Sequence, residues 1–100
     1  MDLYVIRRRN GWANAQELEK AAGVSARVGN EEMPTKVRWI RSYVVKEESG
    51  ELGTVCLYEA TSPEAIREHA ARAGLPAHEI TPVVNTVIVR DDPVPEAAVA

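Results

Sequence analysis

The sequence contains no phenylalanine, one cysteine and two histidines in 100 residues. A lone thiol, Cys56, cannot form an internal disulfide, which points to a reducing compartment, the cytoplasm. The scarcity of rings bears on nucleic acid. An RNA-recognition sheet needs a basic-Gly-aromatic cluster on a central strand, and the segment 53–60 offers only Tyr58. A net charge of −3 leaves no basic surplus to displace counterions, so no nucleic-acid partner is expected. No apolar run approaches the roughly 18 residues of a membrane span. The opening Met1-Asp2-Leu3-Tyr4 lacks the basic-then-apolar layout of a signal peptide, so no membrane association is expected. What remains, 45% hydrophobic and 27% charged, suits one globular domain with one modest core.

The local patterns alternate between two periods. Leu3 to Arg8 is rich in strand formers and runs into Asn10-Gly11. Asn14 with Glu17 three residues on predicts a capped helix start. Leu18, Ala21, Ala22, Ser25 and Val28 continue it as a small-residue stripe, with a stop at Gly29-Asn30. Val37 to Val45 and Gly53 to Ala60 predict a hairpin around the polar turn Lys46 to Glu51. Ser62-Pro63-Glu64 opens a second helix, with an N-cap, proline at the first position and an acid in the first turn; Gly74 closes it. A last strand is expected within Ile80 to Arg90. The order β-α-β-β-α-β predicts an α+β ferredoxin-like sandwich, a four-stranded antiparallel sheet with two helices on one face. Residues 1–90 form this single domain and 91–100 a mobile tail.

Such a sandwich leaves one sheet face bare. Alternation sorts the hairpin into Ile40, Ser42, Val44, Val55, Leu57 and Glu59 toward the helices, and Trp39, Arg41, Tyr43, Thr54, Cys56 and Tyr58 toward solvent. Simple register sets Tyr43 opposite Cys56 and Arg41 opposite Tyr58. An exposed aromatic face of that kind predicts a homodimer closing sheet on sheet, a dimeric α+β barrel. Trp39, Arg41, Tyr43, Cys56 and Tyr58 are then the ligand-binding candidates, with Arg41 awaiting an anion from Glu59, Glu32 or a small molecule. Arg7-Arg8-Arg9 predicts a charged strand end paired with acids. His69 lies at the edge of the second helix's apolar stripe and His78 in the loop beyond; both are metal candidates, without a local ligand motif. The acids Glu47, Glu48 and Glu51 suit a solvated turn.

Trp39-Ile40-Arg41-Ser42-Tyr43-Val44, Cys56-Leu57-Tyr58-Glu59-Ala60, Ser62-Pro63-Glu64-Ala65-Ile66-Arg67, His69-Ala70 and Gly74-Leu75-Pro76 carry a resemblance. Over residues 35–83 the chain resembles a family of small bacterial ferredoxin-like proteins, catalogued as a domain of unknown function and named after a nickel-binding protein. The resemblance implies a dimer and a Ni²⁺ site. Two departures bear on it: Ile6-Arg7-Arg8 stands where many relatives have Val-Glu-Arg, and Arg41 where some have histidine. Both remove groups that Ni²⁺ favours. The expected function is a homodimeric small-ligand or metal-binding protein. The alternative is a cofactor-free oxygenase- or isomerase-like enzyme in which Arg41 holds an anionic oxygen and Tyr43 or Tyr58 orients a proton.

Overall fold

A computed structural model describes residues 1–94. The elements follow the predicted order: β1 (Asp2–Trp12), α1 (Ala15–Arg27), β2 (Val37–Lys46), β3 (Leu52–Ala60), α2 (Pro63–Ala73) and β4 (Glu79–Pro82). The sheet order β2-β3-β1-β4 is antiparallel throughout, as a ferredoxin-like sandwich requires. No helix of the described residues is long and apolar enough to cross a membrane.

Both helix starts form as their sequences dictate. The Asn14 side chain accepts from Glu17 N–H at 2.9 Å, and Glu17 reaches back to accept from Ala13 N–H at 2.8 Å. Ser62 Oγ accepts from Ala65 N–H, with Pro63 in the first turn, and Gly74 ends α2 at φ 70°, a left-handed turn that glycine adopts without a Cβ clash. The end of α1 differs from expectation. The helix widens into a π-helical turn, Val28–Glu32, instead of stopping at Gly29. That turn sinks Val28 and Met33 into the core.

The core lies between the helices and the sheet face carrying Tyr4, Ile6, Cys56 and Tyr58, with Val28, Val37 and Ile66 packed on it. This reverses the expected sorting of β3. Thr54, Cys56 and Tyr58 face the helices, opposite Arg8, Ile6 and Tyr4 of β1. Val55, Leu57 and Glu59 take the open face. The hairpin pairs one step from the simple register along its whole turn side, from Lys46 opposite Leu52 to Arg41 opposite Leu57, which flips β3. A bulge at Ile40, where the register shifts again between Trp39 and Arg41, then turns Trp39 to the helix side. Trp39 pairs with Tyr58 on the helix side, whereas Arg41 pairs with Leu57 and Tyr43 with Val55, one step from the simple register.

The last strand is also shorter than expected. Pro82 stands opposite Tyr4, and Val83 N–H still donates to Leu3 O at 2.9 Å. Val84 then falls opposite Asp2, the first residue of β1, so the chain beyond Val84 has no β1 edge left to pair with. Val84, Val87, Ile88 and Val89 are at least 76% exposed, and 86–92 run beside Ile40, Arg41, Tyr43 and Leu57 on the open face. Of the expected tail, residues 95–100 lie outside the described residues.

Candidate functional site

The stripe of small residues on α1 sets the geometry of the interior. Ala15, Ala21, Ala22 and Ser25 face the sheet but are too short to fill the gap, and a cavity of about 230 Å³ opens between α1 and the strands. Trp12, Leu18 and Leu75 line its apolar side, and Trp39 and Tyr58 its aromatic side. The two rings lie nearly parallel, 6.0 Å apart and inclined by 9°. The floor is polar. Trp39 Nε1–H donates to Ser42 Oγ at 2.7 Å, Ser42 Oγ to Cys56 Sγ at 3.0 Å, and Cys56 Sγ to Thr54 Oγ1 at 3.3 Å.

Arg8 completes the wall. Its flanking arginines are paired, Arg7 with Glu47 at 2.7 Å and Arg9 with Glu79 at 2.9 Å. Arg8 points the other way, shares the helix-facing side of β1 with Tyr4 and Ile6, and is 1% exposed. Its Nε and Nη2 are buried without a hydrogen-bond partner among the described residues. Its guanidinium lies over the Tyr58 ring, with Cζ 5.6 Å from the ring centroid. A cation–π contact offsets only part of the several kcal/mol that an unpaired buried ion costs. The expected pairing of all three arginines with acids therefore holds for two and fails for the third. Period-two alternation from Tyr4 through Ile6 to Arg8 was the sequence signal for it.

Tyr58 is the hub beside this charge. Its hydroxyl shares a 2.9 Å hydrogen bond with Ser25 Oγ, and its ring tilts against His69 at 5.4 Å. Burial pushes the phenol above its usual value, against the opposing pull of the Ser25 hydrogen bond and the Arg8 charge, so it stays neutral. His69 Nε2–H donates to the Ser25 carbonyl at 3.0 Å, while Nδ1 is buried without a partner. Burial holds this imidazole below its usual value; the Ser25 bond works the other way, and the Arg8 charge adds to the depression.

A pH dependence follows. The folded value lies below the unfolded reference of 6.5, so below that pH the unfolded chain binds the proton more readily. The stability held above pH 6.5 is therefore lost progressively as pH falls through the folded value. Urea midpoints should drop between about pH 7.5 and pH 5.5, and His69→Gln should flatten that drop. An unchanged slope in the variant would remove His69 as the cause.

The five ligand-binding candidates thus divide between two faces. Trp39, Cys56 and Tyr58 meet at the cavity. Arg41 and Tyr43 stand together on the open face, where both contact the Asp92 carboxylate. Hydrogen bonding to Tyr43 and the nearby Asp92 charge hold the Arg41 guanidinium above even its ordinary value. Arg41 does not pair with the acids expected for it: Glu59 is taken by Arg38, and Glu32 by Arg27 and Arg72. Glu47 is no idle turn residue, since it also accepts from Asn10 N–H at 3.0 Å. The histidines lie apart from one another's chemistry, His69 under Tyr58 and His78 accepting from Arg9 N–H at 3.0 Å through Nδ1. Among the described residues no three of His, Cys, Asp and Glu gather as a metal site, so the donor set of these residues within one chain does not fit Ni²⁺.

An antiparallel βαββαβ sheet with an arginine-walled cavity under its first helix defines a small ferredoxin-like α+β protein. The chain belongs to the nickel responsive protein SCO4226-like family, whose model matches residues 4–83. It is similar in fold to the crystal structure of SCO4226 from Streptomyces coelicolor A3(2), with a TM-score of 0.68 and 24% identity over 85% of this chain and 99% of that one. None of the curated proteins matches it.

Proposed function

We propose that the chain is a homodimeric small-molecule-binding protein of the cytoplasm, with its ligand held between α1 and the sheet. The cavity of about 230 Å³ carries this reading. An engineered apolar cavity of about 150 Å³ is large enough to hold benzene, so the space here suits a single ring with a substituent. Trp39, Cys56 and Tyr58 are the contact residues retained from the sequence, joined by Arg8, Trp12 and Ser42. Arg41 and Tyr43 serve the opposite face. There Ile40 and Tyr43 are each 43% exposed beside the exposed apolar segment 84–89, and a second copy would cover them.

Nickel is the second reading, favoured by the family's description as nickel responsive. It needs donors from more than one chain: His78 is exposed and offers an imidazole, whereas His69, 1% exposed, would have to leave its place under Tyr58 to supply the other. Native mass spectrometry of untagged protein separates these readings. The expected species is twice the 11.0 kDa chain with a small organic adduct, which Ala22→Phe, a plug in the cavity roof, removes without changing the subunit count. A monomeric mass would sink the dimer. Stoichiometric nickel that disappears on His69→Ala or His78→Ala would establish the metal reading instead.

A further inference from the structure

We propose that the α1 cavity selects organic acids, and that Arg8 anchors the ligand's carboxylate. The inference rests on the cavity being a ligand site, and it names the chemical class that fits.

The charge in the cavity wall is positive and uncompensated. Arg8 forms no ion pair within the described residues, although every other arginine of β1 and β2 does: Arg7, Arg9, Arg38 and Arg41 each meet an acid. Glu19 lines the cavity mouth but is exposed and makes no ion pair with Arg8. The two other titratable groups packed beside the guanidinium do not balance it. Tyr58 is kept protonated by its burial, and His69 spends its N–H on the Ser25 carbonyl. Two guanidinium nitrogens remain buried without a partner. A planar fork of N–H donors with no acceptor matches a carboxylate, which can accept two parallel hydrogen bonds. The rest of the wall, from Trp12 and Leu18 to Trp39, favours an apolar or aromatic body. Both requirements are met by a compact aryl or aliphatic carboxylate.

The only two tryptophans of the chain, Trp12 and Trp39, both line this cavity, so intrinsic fluorescence reports its occupancy. Benzoate and indole-3-carboxylate, titrated beside their neutral amides, are the probes. The carboxylates should bind about tenfold or more tightly than the amides, the difference expected of a charge-assisted hydrogen-bonded pair. Arg8→Met should erase that preference, and Arg8→Lys should restore part of it. Equal binding of acids and amides by the wild type would overturn the carboxylate assignment and leave the cavity as a neutral-ligand site. Binding of none of the four compounds, with the fold verified by circular dichroism, would overturn both the assignment and the site. The wild-type comparison decides the matter even if a variant fails to fold.

Discussion

Arg8→Met is expected to raise the melting temperature of ligand-free protein rather than lower it. Removing one partner of a buried ion pair normally destabilises, because the other charge is stranded. Here the charge is already stranded, with Nε and Nη2 unpartnered and the residue 1% exposed. Methionine retains an unbranched apolar stem of similar reach, so packing against Tyr58 is largely kept. Replacing buried charge by well-packed hydrophobic groups is worth about 1–4 kcal/mol in favourable cases. Taking about 1 kcal/mol as a cautious value after losing the cation–π contact, a domain of this size should melt about 4–8 °C higher. Thermal denaturation of protein freed of small molecules by unfolding and refolding makes the measurement. A fall of several degrees would show that Arg8 is satisfied in the folded state, and would remove the physical reason for an anion site.

The largest loss of stability should come from Tyr58→Ala. Tyr58 joins β3 to both helices: its hydroxyl bonds Ser25 of α1, its ring meets His69 of α2, and Trp39 covers it from β2. Truncating a buried aromatic costs about 3–5 kcal/mol, most of the margin of a domain whose total stability is on the order of 5–15. Urea denaturation should show a midpoint shifted far down or no cooperative transition. Tyr58→Phe is the control, deleting the hydroxyl and leaving Ser25 Oγ without its partner, at about 1–2 kcal/mol. Similar losses for both variants would place the stabilisation in the hydroxyl rather than in the ring.

The element order was legible because its signals are local. Asn14 and Ser62 cap helices, Gly74 accepts a left-handed turn, and Val37 to Val45 is rich in β-branched and aromatic strand formers. The site was less legible because it depends on parity across strands. Counting by two from Trp39 to Arg41 assumes an unbroken strand, and the bulge at Ile40 breaks it. The same counting from Tyr4 to Arg8 is uninterrupted and would have located the buried guanidinium, had the run of three arginines not suggested a charged strand end paired with acids. The stripe of small α1 residues was visible, but close packing and a cavity are equally consistent with it. Only the fixed spacing of the two layers decides between them. The length of β4 depends on how far its register with β1 extends, a non-local quantity.

The bulge at Ile40 also limits what relatives can teach about this chain. On its N-terminal side Trp39 faces the helices; on its C-terminal side Arg41 and Tyr43 face away. A homologue with an unbulged strand, aligned without a gap, would match letter for letter yet present its residues to the opposite layer on one side of position 40. A side chain at the place of Arg41 in such a homologue would then belong to a different layer of the molecule. Carrying a role across this strand requires matching the kink first and the residue second.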